Sequence, residues 1–237
     1  MEILRTFAKI ILFILFSFFL STTLLAYFLI DFTSYENLRE IAIPIIESKI
    51  NITEKEKALA LQYLKYLCKE KTEISFEFIK NITFNCSEIL SLDEKNFTYF
   101  LAEKSFQTFY FEKYDCKIID CFQKNQTYFL SNQFNNYLKE NFSFLIVLTL
   151  IFGISYFLIL ENFSSRLFSF GIIFIFIGIS YFLIDFAFNF FPIEDEKIKE
   201  IVLMKMKNCS FFLPYFLVFG IVLLIIYIIF KIKKLNF

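Results

Sequence analysis

The hexapeptide YFLIDF occurs twice, at Tyr27–Phe32 and Tyr181–Phe186, and each copy brings an apolar run to a carboxylate. Asp31 and Asp185 are the residues whose type and placement could do chemistry. Two carboxylates at one depth could hold a cation, a lipid head group or the lysine of a partner, and an ionisable group in a span is a functional candidate. The plainer account is that both mark where lipid ends, since interfacial charge costs far less than charge at mid-bilayer. The small residue alphabet repeats itself elsewhere, as GISYFLI does at Gly153–Ile159 and Gly178–Ile184. The plainer account is the one adopted, with both residues kept as interfacial acidic candidates.

The chain contains no histidine. That removes the commonest general base, and with it Ser-His-Asp triads, Cys-His dyads and histidine-based zinc sites. Glycine-rich phosphate loops are absent too. Adjacent carboxylates such as Asp93-Glu94 and Glu194-Asp195-Glu196 read as helix N-terminal charges or solvated faces. No catalytic residue, metal site or cofactor is assigned.

Cysteine and asparagine carry more. Cys68, Cys86, Cys116 and Cys121 allow three pairings. Cys116–Cys121 and Cys68–Cys86 are favoured, and the lack of a C-x-x-C pair argues against a thiolate metal site. Cys209 is left over, as a free or intermolecular thiol. The stretch NITFNCS holds two Asn-x-Ser/Thr triplets, and eight occur in all, at Asn51, Asn81, Asn85, Asn96, Asn125, Asn141, Asn162 and Asn208. With 14 Asn in the chain, chance gives about one or two such glycosylation acceptors. The glycosylation candidates are Asn51, Asn81, Asn85, Asn96 and Asn125. Asn141 and Asn208 abut apolar runs.

The elements that must position these residues follow from composition. Of 237 residues 57% are hydrophobic, 38 are Phe, and the mean hydropathy is +0.59. A soluble domain is about 45–50% apolar. The excess falls in four runs, each near the roughly 20 residues a helix needs to cross hydrocarbon. The expected layout is a cytoplasmic N-terminus at 1–9, spans at 10–30, 142–160, 167–191 and 211–230, a cytoplasmic turn at 161–166, an outer loop with an amphipathic helix at 192–210, and a cytoplasmic tail at 231–237. The first run exceeds a signal-peptide core and no A-x-A site follows, so it reads as an uncleaved anchor. With the N-terminus inside, Arg5, Lys9, Arg166, Lys231, Lys233 and Lys234 face the cytoplasm, a modest positive-inside vote. All five cysteines and seven of the eight triplets then fall outside, where thiols pair.

Residues 31–141 form the extracytoplasmic insert. Capping boxes are expected at Thr33–Glu36, Thr53–Glu56 and Ser91–Glu94. Ala60, Leu61, Leu64, Leu67 and Cys68 form a helical stripe. Ile74, Phe76 and Phe78 alternate as one short strand, and a helix from about Thr127 feeds the second span. The fold class expected is an all-α membrane protein: four transmembrane helices with a mostly helical, disulfide-tied extracytoplasmic domain between the first two.

FTSYENL (Phe32–Leu38), NCSEI (Asn85–Ile89), YDC (Tyr114–Cys116) and Cys121, set between four spans, resemble an uncharacterised family of archaeal integral membrane proteins, which carries no activity to transfer. In topology the chain also resembles the bacterial lipoprotein intramolecular transacylases. Those enzymes are thought to depend on histidine, which this chain lacks, so that activity does not carry over. The expected role is a non-enzymatic envelope or assembly protein of the cell membrane. The alternative is a membrane enzyme acting on lipid or lipoprotein without a histidine base. The partners implied are the lipid bilayer, a membrane or envelope protein, or a second copy of the chain. Zero net charge gives no case for nucleic acid.

Overall fold

The structure, a computed structural model, describes all residues except Met1, Asn51, 78–80, 117–119, Phe122, Lys124, 190–195 and 236–237. For Glu2, 76–77, Asn81, Gln126, 181–182, 184–189, 196–198, Cys209 and 233–235 it describes the backbone alone. The described chain is mostly helical and divides into two units, Met1–Phe32 with Tyr137–Phe237, and Thr33–Asn136.

The first unit is built on four helices long and apolar enough to cross a membrane. They are α1 (Glu2–Phe32), α6 (Asn132–Ile159), α7 (Phe163–Asn189) and α9 (Leu213–Leu235). Each is a run of Phe, Ile and Leu with no proline in its middle, so the backbone can satisfy all its hydrogen bonds within the helix. α1 and α6 run antiparallel: the Phe19 and Phe152 rings stack at 4.9 Å, and the Thr23 and Thr149 hydroxyls meet at 2.8 Å. α7 and α9 also run antiparallel, and here glycine decides the geometry. A Cβ on Gly220 would stand 2.7 Å from the Gly171 carbonyl oxygen and 2.8 Å from the Ile175 backbone nitrogen. Without side chains at these points the two backbones touch, the close packing that small residues allow between apolar helices. Phe16, Tyr156, Leu160, Ile173 and Ile177 form the buried centre. The amphipathic helix expected in the outer loop is α8 (Glu196–Cys209), packed against α1 and α7.

The second unit contains α2 (Tyr35–Lys49), α3 (Glu54–Leu67), the strands β1 (Glu73–Glu77) and β2 (Asn81–Asn85), α4 (Cys86–Leu90) and α5 (Phe97–Tyr110), with short 3-10 turns at Glu94–Asn96 and Gln126–Leu130. The capping box at α3 is present: the Thr53 hydroxyl accepts from the Glu56 N–H, and the Glu56 carboxylate accepts from the Thr53 N–H at 2.8 Å. The other two expected boxes are displaced. Ser34, one residue later than expected, caps α2, because Thr33 is buried and held by tertiary hydrogen bonds. Ser91 ends α4 instead of starting a helix, its hydroxyl donating back to the Ser87 and Glu88 carbonyls.

The unit is also not all-α. The expected single strand has a partner, and the antiparallel pair sets Ile74 opposite Phe84 and Phe76 opposite Ile82. Phe78 lies outside the described residues. Ile74 and Phe84 are buried with Leu61, Leu64, Ile89 and Phe97 as one core. The helix expected from Thr127 starts later, at Asn132, because Ser131 interrupts it: its hydroxyl donates to the Tyr128 carbonyl and accepts from the Phe134 N–H.

Candidate functional site

Sulfur is placed by secondary structure. Cys68 ends α3 and Cys86 opens α4 directly after β2, so the hairpin between them folds the two cysteines together. Their Cα atoms are 5.1 Å apart, and those of Cys116 and Cys121 are 5.4 Å apart, both within disulfide reach. Cys68, Cys86 and Cys121 are buried. Cys209 lies in α8 by its backbone, and its side chain is outside the described residues.

Of the five candidate asparagines, Asn85, Asn96 and Asn125 are exposed, as are Asn141, Asn162 and Asn208 among the remaining triplets. Asn85 caps α4, its Oδ1 accepting from the Ser87 N–H at 3.0 Å and from the Ser87 hydroxyl at 2.9 Å. That leaves the amide nitrogen, the atom a glycan would take, out of the cap. Asn96 precedes α5, while Thr98, the third residue of its triplet, is buried. Asn125 caps a 3-10 turn by position, and the hydroxyl of Thr127 lies 3.2 Å from that of Tyr114. Asn51 and the side chain of Asn81 lie outside the described residues.

Asp31 is exposed in the last turn of α1. Asp185 is described by backbone only, within α7. α1 and α7 run in the same direction, and the register that brings the Phe16 ring 5.4 Å from Phe170 also matches Asp31 with Asp185. At the opposite end of the bundle, the Glu161 carboxylate takes both Arg5 and Lys9 at 2.9 Å. The hydrogen bond from Lys9, reinforced by the charges of Arg5 and Lys9, holds the Glu161 carboxyl below its usual value. Arg166 donates to the Leu160 carbonyl at 3.0 Å and lies 4.2 Å from the centre of the Phe157 ring. So three of the cations expected to face the cytoplasm, Arg5, Lys9 and Arg166, gather at one end.

Between α1, α7, α8 and the start of α9 lies a cleft of about 420 Å3, walled by Leu24, Phe28, Phe176, Ile177 and Met206. Its polar groups are Ser21, Ser180 and Ser210. The Ser180 and Ser210 hydroxyls donate to the carbonyls of their own helices, at Ile177 and Met206. Among the described residues no titratable one lines this cleft, so within that set neither serine has a base beside it to become a nucleophile. Among the described residues, no three acidic or thiol groups are arranged to hold a metal ion.

Comparison with known protein families, curated proteins and solved structures finds no match. What the chain does must therefore be argued from its own geometry. Two features escaped the sequence reading. One is a buried polar network in the second unit: Tyr110 donates to the Thr33 carbonyl at 3.0 Å, and Asn135 donates to the Thr33 hydroxyl at 2.9 Å. Burial pushes the Tyr110 phenol up to about 12, so it stays a neutral donor at any physiological pH. The other is the outward face of α3, where Leu59, Tyr63 and Tyr66 are exposed. Neither is visible in a triplet or a charge pattern; both depend on which side of a helix meets the core.

Proposed function

We propose that this chain is a multi-pass protein of the cell membrane with both termini in the cytoplasm. In this reading residues 31–141 stand outside as a disulfide-tied, glycosylated platform that docks a membrane or envelope protein, and the chain has no enzymatic activity of its own. One observation carries the reading. Both cysteine pairs at disulfide distance, and the exposed acceptors Asn85, Asn96 and Asn125, belong to the same unit. Disulfides and N-glycans are both features of the space beyond the cytoplasm. The gathering of Arg5, Lys9 and Arg166 at one end of the bundle supports the cytoplasmic assignment of that end.

The deciding measurement is the intact mass of the natively expressed protein, before and after deglycosylation and after thiol alkylation with and without reductant. The reading expects glycan mass on the second unit and no free thiol at Cys68, Cys86, Cys116 or Cys121. A chain with four reduced thiols there and no added mass would end it.

The apolar cleft beside α8 favours a second reading, a membrane enzyme acting on lipid or lipoprotein. It expects Asp31→Asn and Asp185→Asn to abolish lipid turnover by the purified, folded protein. Unchanged turnover in both variants removes it.

A further inference from the structure

Between the start of α7 and the end of α9 lies a second cavity, of about 610 Å3. That is within the roughly 300–1,000 Å3 of small-ligand sites. Its lining has two chemistries. Phe163, Phe168, Tyr227 and Phe230 form an aromatic part, in which Phe163 meets Phe230 edge-on at 5.7 Å and Phe168 lies 5.1 Å from Tyr227. Asn162, Ser164, Ser165 and Lys231 form a polar part. Among the described lining residues none is acidic, and the one charge is the exposed Lys231 ammonium, 5.8 Å from the centre of the Tyr227 ring.

Charge and depth together select the occupant. An ammonium beside hydroxyl and amide donors attracts an anion whose oxygens accept several hydrogen bonds, and phosphate is of that kind. Glu161, the carboxylate next to Asn162 in the chain, is taken by Arg5 and Lys9 at 2.9 Å, so it does not oppose an anion here. The apolar run Leu213–Phe230 ends one residue before Lys231. At 1.5 Å per residue that run comes close to the roughly 30 Å of hydrocarbon in a bilayer. Lys231 therefore stands at the level of the lipid phosphates, and the rings stand where acyl chains begin. A free phosphate would use the polar part alone, whereas a phospholipid uses both. Basic pockets between spanning helices take anionic head groups. A zwitterionic lipid would bring its own cation against Lys231, so a lipid of net negative charge fits better.

We infer that this cavity binds an anionic membrane phospholipid, its phosphate held by Lys231 with Asn162, Ser164 and Ser165, and the glycerol end of its acyl chains laid on the four rings. The site rests on the bundle lying in a bilayer, as in the function proposed above, but not on which way the chain faces. It needs neither the disulfides nor the glycans of the second unit.

The test uses the full chain in phosphatidylcholine vesicles carrying a trace of phosphatidylglycerol or phosphatidylcholine with a nitroxide on one acyl chain. Electron spin resonance reads the fraction of each label slowed at the protein, and hence the ratio of their affinities. Phosphatidylglycerol is expected to bind about fivefold better, the weight of one lysine at a membrane surface. Lys231→Gln brings the ratio close to unity. Arg5→Gln removes an equal charge from the same end, outside the described lining and already offset by Glu161, and keeps the ratio. Ser165→Leu fills the polar part without changing charge and lowers it. Excess inorganic phosphate, compared with sodium chloride of equal ionic strength, leaves it unchanged. Circular dichroism checks that each variant keeps its helices. Equal binding of the two lipids, a ratio that Arg5→Gln lowers as far as Lys231→Gln does, a ratio untouched by Ser165→Leu, or displacement by phosphate would each overturn the site. If neither label is slowed, the chain is not in the bilayer, and the membrane reading falls together with the site.

Discussion

At the scale of single residues, the second unit contrasts two buried polar side chains. The Tyr110 hydroxyl is 3.0 Å from the Thr33 carbonyl it serves. The Thr98 hydroxyl is buried and has no hydrogen-bond partner among the described residues. A satisfied buried group stabilises modestly, whereas an unsatisfied one costs about 1–3 kcal/mol. Thr98→Val, which keeps the shape and drops the hydroxyl, is expected to raise the stability of the unit by about 1 kcal/mol. Tyr110→Phe is expected to lower it by a similar amount. Thermal unfolding of the two full-length variants, deglycosylated so that only the side chain differs, reads both. An unstable Thr98→Val would mean that the hydroxyl is bonded after all. A hydroxyl kept where valine would pack better is accounted for if it completes the Asn96 acceptor triplet, as the proposed function has it.

At the scale of elements, the α7–α9 contact rests on missing side chains. Gly171, Gly178 and Gly220 all stand where a Cβ would meet the opposing helix. Gly220→Leu is expected to destabilise the bundle by about 1–3 kcal/mol, the usual range for overpacking. Denaturant titration in detergent checks it. Leu183→Ala, at an exposed position on α7, should be nearly silent in the same assay. Much of this scale was legible beforehand. The four apolar runs needed only length and hydropathy, and the α3 cap at Thr53 needed only its spacing to Glu56. The cap of α2 falls at Ser34, one residue past Thr33, because Thr33 is engaged by Tyr110 and Asn135, partners distant in sequence. β2 escaped because its alternation, Ile82 and Phe84 between Asn81, Thr83 and Asn85, sits inside an acceptor-triplet pattern and follows no glycine turn. The outer stripe of α3 could not be separated from the inner one, since Leu and Tyr fill both faces until a core is known.

At the scale of the whole molecule, each unit has its own buried core, Leu61 to Phe97 in one and Phe16 to Ile177 in the other. Both cysteine pairs at disulfide distance fall in the second unit, Thr33–Asn136. Calorimetry in detergent should resolve two transitions, with reductant shifting only one of them. A disulfide is worth about 2–4 kcal/mol to a small domain, so the loss of both should move the second unit's transition strongly and leave the bundle where it was. A single transition, or one that ignores reductant, would contradict this. The candidate site was less legible than the architecture. Cysteine spacing pointed to the right neighbours because a five-residue separation can hardly avoid closing, and because a hairpin returns Cys86 to the end of α3. Register at Asp31 and Asp185 follows from the repeated hexapeptide, while the side chain of Asp185 lies outside the described residues.

The hydrogen bond from Asn135 to Thr33 joins the point where the chain enters the second unit to the point where it leaves. A polypeptide inserted through a single doorway can be removed without stretching what remains. The four long apolar helices should accept a short graft joining the residues on either side, and the excised piece should keep its two ends fastened as a separate module.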